Sequence, residues 1–229
     1  MIKHLACIMD GNRRWAKKRG KLSIEGHKEG VETAKRVVQF CLTKNIRYLT
    51  LYTFSLENFK RPEAEKNYLF DLIVMQAQWF IDTAVKDGVC IRFVGDRALF
   101  PTSALAACER IERDTVQGQR LTVNVLFCYG GQQEIIAGVK RIAAQINAGL
   151  ISESDIDIAC FKKQLWMYDT PEPEIIIRTG DRKRLSNFLL FHAAYSEIYF
   201  LDCMWPDLTD ADLETVITCY TQSERNFGV

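Results

Sequence analysis

A chain of 229 residues suits one large domain or two small ones. Hydrophobic residues make up 48% and charged residues 26%, a balance that excludes a disordered or low-complexity protein and leaves ample material for a core. The formal net charge of +1 excludes a global field that would draw the chain to nucleic acid or anionic lipid, so affinity for anions has to come from local clusters. Eight cysteines (7, 41, 90, 108, 128, 160, 203 and 219) are never spaced C-x-x-C, and most lie in apolar runs. They are expected to be reduced thiols of a cytoplasmic protein, neither disulfides nor zinc ligands. The opening residues meet a charge too soon for a secretory signal. No apolar run is long enough to cross a bilayer, which leaves only peripheral contact with a membrane.

In chain order, the first expected strand is Leu5–Met9. Asp10, Gly11, Asn12, Arg13, Arg14 and Trp15 follow it, at the start of a basic helix. Backbone N–H groups at such a helix start, together with Arg side chains, favour an anion. Asp10 conflicts with that unless a divalent cation bridges carboxylate and phosphate. Taken alone, this cluster is better explained by a plain Asp-Gly turn before a solvated basic helix. Val31, Ala34, Val38 and Cys41 recur at helical spacing. Tyr48–Phe54 is a second strand, and Ser55, Glu57, Asn58, Phe59, Lys60, Arg61 and Pro62 come after it. Ser55, Asn58 and Arg61 suit a polar ligand; as turn and cap residues Ser55 and Asn58 need none. Tyr68–Val85 is apolar nearly all round, fitting a core helix or a helix with one face on the sheet and another on an apolar cavity.

Val89–Val94 and Leu121–Phe127 are further strands, followed by a helix carrying Ile135, Val139, Ile142 and Ile146. After the strand Glu174–Ile177 comes a third polar cluster, Arg178 to Asn187, leading into an expected apolar helix at Phe188–Phe191 with Ser186 suited to its N-cap. Glu197 precedes the last strand, Ile198–Leu201, and a helix with Leu213, Val216, Ile217 and Tyr220 ends the chain. Alternating strands and helices predict an α/β fold with a central, mostly parallel six-stranded sheet flanked by helices. Without linker or repeat, residues 1–229 read as a single domain. Such sheets bind ligands beyond the carboxyl ends of their strands, where the three polar clusters fall.

Taken in order, MDGNRRWAKK, the GHKEG stretch with His27, LYTFSLENFKRP, Tyr129-Gly130-Gly131 and RTG…RLSNFLL…AYSEIYF resemble the cis-prenyltransferase family, typified by undecaprenyl diphosphate synthase. The resemblance implies an isoprenyl transferase that condenses isopentenyl diphosphate onto an allylic diphosphate such as farnesyl diphosphate. Its product is a Z-polyprenyl diphosphate such as undecaprenyl diphosphate, a lipid carrier for cell-wall glycan synthesis. It also implies a homodimer, a hydrophobic tunnel in each subunit, and peripheral membrane contact for product release. The allylic substrate is expected near Asp10, Gly11, Asn12, Arg14, His27 and Arg61, with Arg13, Trp15 and Phe59 also in contact. Isopentenyl diphosphate is expected near Arg178, Arg184 and Ser186. Ser55 and Asn58 lie by the reacting carbons, and Asp10 and Asn58 are the catalytic positions. Asp10 holds magnesium with Glu197, which acts close to the partner's site. Asp10→Ala is expected to leave folding intact and nearly abolish turnover.

Several positions depart from the family pattern. Ser23 stands where an arginine is usual, Asp181-Arg182 replaces Gly-Glu, Cys128 replaces Asn, and Asn226 replaces a further arginine. Leu126 and Phe127 are bulky where small residues are common, and shorten the product if both line the tunnel. One rival is a non-catalytic scaffold that activates a prenyltransferase partner; such a subunit is expected to lose Asp10, Asn12, Arg14, Arg178 and Arg184, all present here. Neither G-x-G-x-x-G nor G-x-x-x-x-G-K-[ST] occurs, against a nucleotide-binding enzyme. The basic run from Arg13 to Lys21 carries no nucleic-acid reading motif.

Overall fold

A computed structural model describes residues 2–223. The strands are β1 (His4–Ile8), β2 (Tyr48–Ser55), β3 (Val89–Val94), β4 (Leu121–Tyr129), β5 (Ile175–Arg178) and β6 (Glu197–Phe200). They form one sheet in the order β3-β4-β2-β1-β5-β6, with every neighbouring pair parallel. Helices α1 (Asn12–Lys18), α2 (Ser23–Thr43), α3 (Glu63–Asp87), α4 (Thr102–Thr115), α5 (Gly131–Asn147), α6 (Ile158–Lys162) and α7 (Asp210–Gln222) flank it. The central strands are continuous apolar runs because both faces are covered. Leu5, Cys7, Leu49, Leu51 and Ile177 pack with Val37 and Phe40 of α2 and Leu213 of α7. Their neighbours Ala6, Ile8, Tyr52, Leu126 and Ile176 pack on the other face with Phe188 and Leu189. No helix among the described residues is long and apolar enough to cross a membrane. The Asn226 departure lies outside the described residues.

The helix expected at Phe188–Phe191 does not form. Residues 186–195 are turns and bends, and Ser186, Asn187 and Leu189 have φ of 52°, 64° and 44°. Left-handed backbone at three of four successive residues cannot propagate a right-handed helix. Phe188 and Leu189 are buried against the sheet instead, and Ser186 serves Arg178 rather than a helix start. The stripe expected on α5 also shifts. Val139 is half exposed, and the buried positions are Gly131, Glu134, Gly138 and Ile142.

His4 is fully buried, with Nδ1 2.6 Å from Pro171 O and Nε2 2.8 Å from Thr50 Oγ1. A carbonyl only accepts, so Nδ1 carries the proton and Nε2 accepts from Thr50. Burial lowers the His4 pKa from 6.5 to about 4, against the raising effect of the Pro171 hydrogen bond. Between those values the unfolded chain takes a proton that the folded chain refuses. Stability is therefore expected to be lost as pH falls from 6.5 towards 4, by about 3 kcal/mol for this group. Urea midpoints across that range, with an NMR titration of the His4 ring, check it. A ring titrating near 6.5 would remove the effect.

Candidate active site

The C-terminal ends of β1, β2 and β5 bring the three polar clusters together. Gly11 turns the chain after β1 at φ 120°, and a Cβ there would meet Met204 Cβ at 2.8 Å. This position requires glycine. The Asp10 carbonyl accepts from Thr179 Oγ1 at 2.7 Å and Trp205 N at 3.0 Å, which fixes the residue's backbone. The Asp10 carboxylate accepts from Arg178 Nη2 at 2.8 Å and lies 3.2 Å from Arg14 Nη2. Arg14 Nη2 also donates to Gly180 O at 2.7 Å; with φ of 88°, Gly180 leaves room that a Cβ would fill only 2.6 Å from that nitrogen.

Arg178 is 3% exposed, and its Nη1 donates to Arg184 O at 2.6 Å and Ser186 Oγ at 2.8 Å. Arg178 Nε is buried without a hydrogen-bond partner. Arg184 Nε donates to Ser186 Oγ at 3.2 Å. The first and third clusters are therefore one site. The second joins them through Asn187 Nδ2, which donates to Glu57 Oε1 at 2.9 Å. Within it, Ser55 N donates to Asn58 Oδ1 at 3.1 Å, so Asn58 caps the short 3-10 turn Leu56–Lys60. Phe59 packs edge-on against Phe54, with ring centroids 5.2 Å apart.

His27 and Arg61 approach from α2 and from the residue before Pro62. Both meet Glu65, a residue the motifs did not single out: His27 Nε2 and Arg61 Nη1 each lie 3.1 Å from Oε1. Arg13 Nε is 3.7 Å from Oε2. Burial holds the His27 imidazole below its usual pKa, while the hydrogen bond to Glu65 works the other way. Another unforeseen network fixes Tyr129: Glu134, fully buried, accepts from Tyr129 OH at 2.5 Å and from Trp166 N at 2.9 Å.

Beneath this rim lies an apolar cavity of about 480 Å³, lined from Asn12 and His27 down to Ala84 and Val89. Asn12 Oδ1 is buried there without a partner. Leu69, Leu72, Ile73 and Phe80 of α3 line the cavity, while Phe70, Ala77 and Ile81 pack with Cys108 and Ile111 of α4. The all-round apolar character of α3 thus serves a cavity on one side and a core on the other. Phe127 lines the cavity, but Leu126 points to the opposite face of the sheet, so only one of the two bulky residues narrows it.

Trp15 and Glu197 stand apart from this group. The Trp15 indole is buried with Ala16 and Met204 and donates to Asp207 Oδ1 at 2.7 Å, anchoring α1. Glu197 is level with Ile175 at the N-terminal end of the sheet, whereas Asp10 follows Ile8, which is level with Arg178. Three strand residues span about 10 Å. Glu197 accepts from Tyr199 OH and Ser223 Oγ, both at 2.6 Å. Within one chain Asp10 and Glu197 do not meet, so a shared metal site needs a second copy. No group of three or more His, Cys, Asp or Glu suited to a metal occurs among the described residues.

Residues 8–228 match the family model described as "Putative undecaprenyl diphosphate synthase". The isoprenyl transferase of Clostridium perfringens is 41% identical, covering 100% of this chain and 90% of that protein. The farnesyl-diphosphate-specific ditrans,polycis-undecaprenyl-diphosphate synthase of Wigglesworthia glossinidia brevipalpis is 39% identical, covering 99% of this chain and 87% of that one. Lavandulyl diphosphate synthase from Lavandula x intermedia, solved with dimethylallyl diphosphate, superposes with a TM-score of 0.96 at 29% identity, over 100% of this chain and 98% of that one. The probable undecaprenyl diphosphate synthase of Campylobacter jejuni gives a TM-score of 0.83 at 30% identity, over 100% and 99%. With this sheet, this rim and matches of this extent, the chain belongs to the undecaprenyl diphosphate synthase family of cis-prenyltransferases.

Proposed function

We propose that this enzyme adds isopentenyl diphosphate to an allylic diphosphate, farnesyl diphosphate being the expected primer, to give a Z-polyprenyl diphosphate such as undecaprenyl diphosphate. The observation that carries the reading is the 2.8 Å contact of Arg178 with Asp10, which places two basic clusters from distant parts of the chain on one rim. In this reading the allylic headgroup lies among Gly11, Asn12, Arg13, Arg14, His27 and Arg61. The isopentenyl headgroup lies by Arg178, Arg184 and Ser186. The unpartnered Arg178 Nε is a donor in want of an oxygen, which a diphosphate supplies.

Asp10 is a partly exposed carboxylate held between the guanidinium groups of Arg14 and Arg178. That donor set fits magnesium, which commonly takes one or two carboxylates and completes its shell with phosphate oxygens and water. Asp10 would hold it with the partner subunit's Glu197, and the ion would neutralise diphosphate charge. The half-exposed Ile136 and Val139 on α5 offer apolar surface for the homodimer this requires.

Arg14 and Arg61 stabilise the negative charge that develops as the allylic C–O bond breaks, usually the largest catalytic contribution. The isopentenyl double bond supplies the electron pair of the new carbon–carbon bond, and a proton leaves that substrate as pyrophosphate departs. Holding both headgroups on one rim supplies proximity. The lengthening tail enters the cavity, where each buried methylene contributes about 0.8 kcal/mol.

Radiolabelled isopentenyl diphosphate, farnesyl diphosphate and magnesium test the reading with purified protein. Incorporation into an extractable lipid diphosphate, sized by chromatography and lost with chelator, is the expected result. A protein that incorporates no label is a scaffold and overturns it.

A further inference from the structure

Glu65 is a carboxylate in the part of the molecule with least use for one. It lies in the first turn of α3 and is 8% exposed. Its three neighbours come from separate elements: Arg13 on α1, His27 on α2 and Arg61 ahead of α3. Arg13, with a side chain 54% exposed, still turns inward towards it. A buried carboxylate persists only when paired. Here it is paired with the groups that the proposed reaction assigns to the allylic headgroup.

We infer that Glu65 is an internal competitor anion, which engages Arg13, His27 and Arg61 between substrates and reclaims them when pyrophosphate is formed, so that the site releases its inorganic product. This rests on the proposed reaction. Each addition breaks one allylic C–O bond and leaves one pyrophosphate among these side chains. That ion keeps the headgroup's charge, and unless discharged it blocks the next addition. A tethered carboxylate lowers the local positive potential by one unit and is always at hand as an alternative partner. It weakens headgroup binding for substrate and product alike. The substrate recovers the loss by burying its tail in the cavity, and pyrophosphate has no tail. With headgroup affinity lowered for both, the substrate is still retained by its tail, whereas pyrophosphate, held by its charge alone, is released.

Calorimetric titration of inorganic pyrophosphate, with magnesium present, into wild type and Glu65→Gln tests this. Glutamine keeps the shape and removes the charge. The Kd is expected to fall about tenfold in Glu65→Gln. In turnover assays kcat and the KM for farnesyl diphosphate are expected to fall together, with stronger inhibition by added pyrophosphate. A damaged fold would loosen binding, not tighten it. In an Arg61→Ala background, which leaves Glu65 only Arg13 and His27, the gain should be clearly smaller. An unchanged or higher Kd in Glu65→Gln, or a gain of undiminished size in the Arg61→Ala background, overturns the inference. Wild type that binds pyrophosphate yet adds no isopentenyl unit overturns the underlying reaction instead, and the labelled assay reports that separately.

Discussion

Asp10→Asn is expected to lower kcat by about 10²–10³-fold, the usual loss when one positioned electrostatic group is removed from a site of this kind. Asparagine keeps the shape and the carbonyl acceptor but removes the charge that balances Arg178 and Arg14. The fold is not expected to be indifferent. Arg178 is 3% exposed, and without Asp10 its remaining acceptors are Arg184 O and Ser186 Oγ. A buried guanidinium stripped of its counter-charge costs about 1–3 kcal/mol. Asp10→Ala, expected from sequence to leave folding intact, should therefore be the less stable of the two. Label incorporation measures the first effect and urea denaturation the second. Near-normal turnover in Asp10→Asn would remove Asp10 from the metal role.

Phe127→Ala is expected to lengthen the product. The Phe127 ring closes on those of Phe54, Phe70, Phe93 and Phe100, with centroids 5.7, 5.5, 6.5 and 4.8 Å away. It lines the cavity from the end of β4, so its removal extends the space open to a tail. The loss of packing should cost about 3–5 kcal/mol, and Phe127→Leu provides a milder companion. Reversed-phase sizing should show longer chains for alanine, with leucine between it and wild type. Unchanged chain length in both variants would show that another wall stops the tail.

The strands were legible because a parallel sheet buries both faces, so its strands stand out as apolar runs. The clusters after β1, β2 and β5 were legible because ligands gather beyond the carboxyl ends of such strands. That same rule separates Glu197, which opens β6 at the N-terminal end of the strands. The turn at residues 186–195 was hidden. Phe188 to Phe191 has the composition of a helix, and nothing announces left-handed backbone at Ser186, Asn187 and Leu189, none of them glycine. Glu65 was hidden as well. Beside Glu63, it reads as one more acid favouring a helix start, and only the folded chain reveals its three neighbours. The different fates of Leu126 and Phe127 follow from strand alternation, which sends successive side chains to opposite faces.

The Asp10–Arg178 contact spans 168 positions of the chain, and β1, made from some of the first residues, is wedged between β2 and β5. Contacts so far apart in sequence form slowly, because the intervening loop must first be closed. While the chain is being synthesised, β1 waits with one edge open until β5 emerges. A nascent or truncated polypeptide ending before Arg178 has no completed rim, so on the proposed function capture of a diphosphate would report that β5 has docked beside β1.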